Sequence, residues 1–191
     1  AASSPGPAVA LLLGIGTSQG RGAALVTTTG IAFGSILINI ATLLGVGLIL
    51  SQAAWAMSIL RIIGGAYLLH LAYGAFRKAI DPPEIRAMEV TPTSAGRLFA
   101  AGFLLQVTNP KAIVFWLAIA SIGATEGGGS GVIAAFVAGA FVISFVCHGA
   151  WAVLLSSRSF RAAYAAGRRW VEAALGAFFT FATYKLVASE T

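Results

Sequence analysis

From Gly22 to Leu50 the chain runs without a single charged residue. About 20 apolar residues are enough to carry a helix across a bilayer, so this stretch is long enough and to spare. It is not alone: similar apolar windows run from Trp55 to Phe76, Leu98 to Ile122, Val132 to Leu155 and Trp170 to Val187. All are far longer than the roughly 10-residue alternating strands of outer-membrane barrels. A helix satisfies its own backbone groups in lipid, so the pattern predicts a helical bundle. Only 9% of the residues are charged, against roughly 25% in a soluble domain, and mean hydropathy is +0.89. Water is the wrong solvent for most of this surface. Ala1 to Ile15 is apolar but short and has no basic leader, so it reads as a sixth, short or truncated segment and not as a signal peptide. At 191 residues one transmembrane domain is expected.

Basic residues set the orientation. Arg21 lies in the first loop; Arg77, Lys78, Arg86 and Arg97 in the third; Arg158, Arg161, Arg168 and Arg169 in the fifth. The second loop has none and the fourth, "ATEGGGSG", holds only Glu126. Lys and Arg mark the cytoplasmic side, which puts both chain ends on the other side. The same asymmetry accounts for the net charge of +6 without a nucleic-acid partner. The third loop is rich in Pro, Thr and charge and reads as a linker, about 79–97, between repeat one (about 1–78) and repeat two (about 98–191). Three crossings per half make the second half enter from the opposite face, the arrangement of inverted repeats. Small residues four apart recur in the second segment of each half, Gly30 and Gly34, then Ala135 and Gly139; such pairs let helix backbones approach.

Each half also carries a helix breaker in its first segment: Pro5, Gly6 and Pro7 in one, Asn109 and Pro110 followed by Lys111 in the other. Proline removes an N–H and disrupts the preceding turn, and the residue before it avoids helical geometry. Bare backbone at membrane depth is tolerated only inside protein or along a wet cavity. A restarted helix presents free N–H groups and a positive dipole end. Two such breaks facing each other make a polar site for a small ion or zwitterion. A proline that merely kinks a packed helix is the plainer alternative.

"SPGPAVALLLGIGTSQGRGAALVTTTGIAFGS", "LRIIGGAYLLHLAYGAFRKA" and "FAAGFLLQVTNPKAIVFWLA" resemble the first, third and fourth helices of the LysE/RhtB family of amino-acid exporters. The resemblance implies a bacterial inner-membrane secondary carrier that exports amino acids or their derivatives by antiport on the proton gradient. It also implies a longer apolar stretch ahead of the PGP motif, so the chain reads as shortened at its start. Two further departures, "AVA" after PGP and "ASIGATEGGG" in place of a Pro-Gln pair, bear on substrate more than on fold.

Other polar residues within the windows admit two readings each. Asn39 makes a helix–helix hydrogen bond or lines a cavity. His70 and His148 are structural or carry a coupling proton. Lys111 balances a substrate carboxylate or simply faces a cavity. Arg61, Lys185 and Glu172 fall near interfaces, where snorkelling explains them. Two histidines without Cys, Asp or Glu nearby make a poor metal set, "GGGSG" lacks the lysine of a phosphate loop, and a lone Cys147 forms no intrachain disulfide. No catalytic triad or carboxylate pair gathers in one region, so no enzyme and no cofactor are expected. The partners expected are the bilayer and a small-molecule substrate, with homo-oligomerisation left open. An exporter of another small ion or metal cation, or a non-transporting scaffold, are the alternatives.

Overall fold

A computed structural model describes residues 6–52, 54–82, 87–123 and 129–188. Among them are seven helices and no strand: α1 (Pro7–Ser18), α2 (Gly20–Gln52), α3 (Ala54–Ile80), α4 (Ala95–Thr108), α5 (Pro110–Gly123), α6 (Ser130–Leu154) and α7 (Arg158–Ala188). Pro5, Arg86, Glu126 and the side chain of Arg61 lie outside the described residues.

Among the described residues two helices are long and apolar enough to cross a membrane unaided, α2 over Gly20–Gly45 and α6. The pair α4 and Pro110–Leu117 of α5, bent by 58° at Asn109, meets the same measure only when taken together, as a broken span or a re-entrant loop. At about 1.5 Å per residue α1 reaches ~18 Å, roughly half the bilayer core. Helices α3 and α7 have the length of a span. The stretch expected as a fifth loop is instead the first turns of α7, because "RAAYAAGRR" is mostly Ala and Arg, good helix formers.

The distribution of polarity is inverted relative to a soluble protein. Thr27, Thr28, Ser35 and Asn39 of α2 are fully buried, while Phe33, Leu37 and Ile40 of the same helix are exposed. On α6, Ser144 and His148 face inward and Val142 and Val146 outward. Apolar surface on this scale suits lipid and would aggregate in water.

Helix α2 is the centre of the bundle, packed against α1, α4, α5 and α6; α3 packs along α7 and reaches α5. The α2–α4 seam is close because it is lined with glycine. A Cβ on Gly30 would overlap the Phe99 carbonyl, and one on Gly102 would overlap that of Thr27. Gly34 sits against Gln106, where a Cβ would fall 2.8 Å from its side chain. The partner pair of small residues on α6 does not pack this way: Ala135 is exposed and Gly139 has nothing within 4 Å of a Cβ position. That face of α6 points out of the bundle.

The inter-helix segment before α4 is docked. Met88 N–H donates to the Ala10 carbonyl (3.1 Å), Thr93 N–H donates to Gln19 Oε1 (3.1 Å), and Val90 packs on the core formed by Leu11, Leu12, Ile15, Ile31 and Leu98. Gly14 admits the Met88 carbonyl where a Cβ would overlap it.

Candidate functional site

Two helix N-termini open into one cavity. Helix α1 starts at Pro7, with Gly6 as N-cap in extended conformation and no side chain capping it. Of its early backbone groups, Ala10 N–H returns to the Gly6 carbonyl (3.0 Å); proline costs nothing at this position because its missing N–H would be unpaired anyway. Helix α5 starts at Pro110 in the same way. Here Asn109 does three jobs. Its N–H donates to the Gln106 carbonyl (3.2 Å), closing α4. Its carbonyl accepts from Ala112 and Ile113 N–H (3.0 and 3.1 Å), and its Oδ1 accepts from Lys111 N–H (3.1 Å), opening α5. A short side-chain acceptor in extended backbone is what an N-cap requires, so the Asn-Pro dipeptide builds the bend from local chemistry.

The cavity has a volume of about 370 Å³. Gly6 and Pro7 line it from α1, Gln106, Asn109 and Lys111 from the α4–α5 bend, Ser144 and His148 from α6. Phe115, Trp116, Ile143, Leu175 and Phe178 supply apolar wall, and Cys147 also lines it. Lys111 and the two positive helix ends make the polar side electropositive.

Behind the wall the polar groups are joined across three helices. Gln106 Nε2 donates to Ser35 Oγ (2.9 Å), and Ser35 Oγ lies 2.9 Å from Ser144 Oγ. His148 Nδ1 is 2.9 Å from the Ser144 carbonyl. A carbonyl only accepts, so Nδ1 carries the hydrogen and Nε2 holds the lone pair when the ring is neutral. Asn39 Nδ2 donates to the Ser35 carbonyl (2.8 Å), and its Oδ1 has no hydrogen-bond partner.

Of the residues singled out from sequence, Gly6, Pro7, Asn109, Lys111 and His148 line the cavity. Pro110 starts α5 immediately beside it. Asn39 is fully buried in α2 and joins the site only through Ser35. His70 is exposed on α3, with its ring 6.1 Å from that of Tyr67, and does not line the cavity. Gly30 and Gly34 hold α4 against α2 and so position Gln106. Gln106, Ser35 and Ser144 escaped the sequence reading. The signal was present: an amide in an apolar run, one turn before Asn109, and two serines each four residues ahead of a larger polar residue. Glu172 also departs from expectation. It is fully buried and does not snorkel.

A family model described as LysE type translocator matches residues 1–190. Threonine efflux proteins of Salmonella typhi and Escherichia coli are each 29% identical over 182 residues, covering 92% of this chain and 86% of theirs. A homoserine/homoserine lactone efflux protein of Salmonella typhimurium is 33% identical over 91 residues, 48% of this chain and 41% of its own. No solved structure gives a significant match. With the match running over essentially its whole length, the chain belongs to the LysE type translocator family, whose members are membrane transporters and not enzymes.

Proposed function

We propose that this protein is a secondary exporter of amino acids or small amino-acid derivatives across the bacterial inner membrane, driven by the proton gradient. The observation that carries the reading is the meeting of two helix N-termini and Lys111 at one cavity. Free N–H groups at a helix start attract a carboxylate, and a cation beside them adds charge. A volume of about 370 Å³ is at the small end of ligand pockets, which run from ~300 to 1,000 Å³. The relatives are named for exporting threonine and homoserine or its lactone, small aliphatic molecules with an oxygen function. Gln106 and Ser144 at the wall are suited to such an oxygen. In this reading Pro5, Gly6 and Pro7 form one break, Asn109, Pro110 and Lys111 the other, and His148 is one of the titratable groups at the cavity wall. His70 lies off the pathway.

The reading includes six spans, with α1 the short first one and α4–α5 the fourth, in two inverted repeats of about 1–78 and 98–191 joined by 79–97. Helices equivalent in this reading touch each other, α2 with α6, α3 with α7 and α1 with α4, which is compatible with a two-fold relation between the halves. Ser35 and Asn39 on α2 match Ser144 and His148 on α6 in spacing, and the two serine hydroxyls meet at 2.9 Å. The basic bias supports an orientation with both chain ends outside the cytoplasm.

Purified protein in proteoliposomes, given a pH gradient and no nucleotide, should accumulate threonine or homoserine. A need for ATP, or indifference to every ion gradient, overturns the reading. Gly6→Leu should abolish accumulation in protein that still inserts, because a side chain there fills the space between the breaks, whereas Gly128→Ala in the fourth loop should not.

A further inference from the structure

The chain has six acidic residues, Asp81, Glu84, Glu89, Glu126, Glu172 and Glu190. Glu172 is the one within an apolar window. It is fully buried, and among the described residues neither carboxylate oxygen has a hydrogen-bond partner. Its ion-pair partner is Arg168, one turn earlier on α7, whose Nε stands 3.9 Å from Oε1. That is too long for a hydrogen bond, and Arg168 Nε is itself buried without a partner. Two complementary groups therefore face each other just beyond bonding distance. A buried carboxylate without donors is costly when ionised, and it becomes tolerable only if a proton sits on it or a cation closes in.

The surroundings offer both options. Arg168 and Tyr164 share its helix, and the charges of Lys78 on α3 and Lys111 on α5 act on it. The Tyr164 hydroxyl is buried beside Arg168. Lys111 lines the cavity as well, so the charge state of Glu172 is felt where substrate would bind. Leu175, the next residue on that face of α7, is cavity wall. Arg77 and Lys78 form the basic last turn of α3, and the charge of Lys78 acts on Glu172. Glu172 thus lies within electrostatic reach of both the cavity and the end of α3 that the basic residues mark as cytoplasmic.

We propose that Glu172 is the group that takes up and releases the exchanged proton. The inference rests on the proton-coupled exporter reading and names its proton site. On release the O–H bond of the carboxyl breaks, the proton passes to water on the cytoplasmic side, and the carboxylate left behind closes on Arg168. On uptake a proton from water on the opposite, non-cytoplasmic side re-forms the O–H bond, and Arg168 and Lys111 lose a compensating charge.

Glu172→Gln holds the neutral form permanently. In proteoliposomes with labelled threonine or homoserine, it should lose the accumulation driven by a pH gradient. It should retain exchange of labelled for unlabelled substrate, which needs no net proton movement, and Glu172→Asp should restore part of the gradient response. A structural role alone would depress exchange and gradient-driven flux together, and that result overturns the proposal. So does a Glu172→Gln protein whose accumulation still follows the pH gradient, above all if His148→Gln loses it. Should Glu172→Gln fail to fold, infrared spectra of the wild type decide: a protonated-carboxyl band that titrates and responds to substrate supports the proposal, and its absence overturns it. A wild type that shows neither accumulation nor exchange overturns the exporter reading itself, and this inference with it.

Discussion

At the scale of single residues, the site is built from groups that each satisfy a local demand before serving any ligand. Asn109 is the clearest case, since its side chain caps α5 while its backbone ends α4. Loss of an N-cap costs about 1 kcal/mol, which a bundle this large tolerates. Asn109→Leu should therefore insert and fold, with a slightly lower melting temperature, yet export nothing, because the α5 N-terminus loses its alignment. Asn109→Ser keeps an acceptor and should keep measurable export. Gln106 separates stability from function in a similar way. Its hydrogen bond to Ser35 is of a kind worth about 0.6 kcal/mol in membranes, so Gln106→Leu should barely move thermal unfolding. It removes a polar cavity wall and the donor to Ser35, and should raise the KM for substrate severalfold in a transport assay. Asn109 was legible because an Asn-Pro pair has few structural interpretations. Gln106 was not, because a lone amide in an apolar run says nothing about which face of its helix it occupies until the glycine seam fixes that face.

At the scale of helices, local chemistry predicted the breaks and the apolar windows, and packing decided the rest. The bend at Asn109 and the start of α1 at Pro7 follow from proline sterics that operate within a few residues. The start of α7 at Arg158 did not follow from hydropathy, because a charged, Ala-rich stretch leaves the window without leaving the helix. The small-residue pairs show the same limit. Gly30 and Gly34 pack on α4, while Ala135 and Gly139, alike in spacing, face outward; spacing alone carries no information on which face meets a neighbour. Gly102→Leu should consequently prise α2 from α4, since its Cβ would overlap the Thr27 carbonyl. Overpacking of side chains costs typically 1–3 kcal/mol, and a clash with backbone is harder to relax. Gly139→Leu should leave unfolding unchanged. Denaturation of the two variants in detergent, followed by tryptophan fluorescence, tests the contrast.

At the scale of the whole molecule, an apolar core and a buried polar cluster of serine, threonine, asparagine, glutamine and histidine lie within a surface rich in leucine, isoleucine and phenylalanine. Orientation should follow the basic residues. In a Cys147→Ser background, a cysteine at Gly128 should react with a membrane-impermeant reagent added outside intact cells, and one at Arg161 should not; the opposite pattern reverses the assignment. The segment between the halves looked in sequence like a tether, polar and proline-rich. Composition could not show that Met88, Val90 and Thr93 lie along α1, since those partners are more than seventy residues apart. This docking changes where the molecule tolerates being opened. A tether would accept a fluorescent reporter spliced after Val90. Here the insertion would pull Met88 and Thr93 apart and strip α1 of the strand that covers it, and cells should accumulate less of the tagged protein than of one tagged within 124–128.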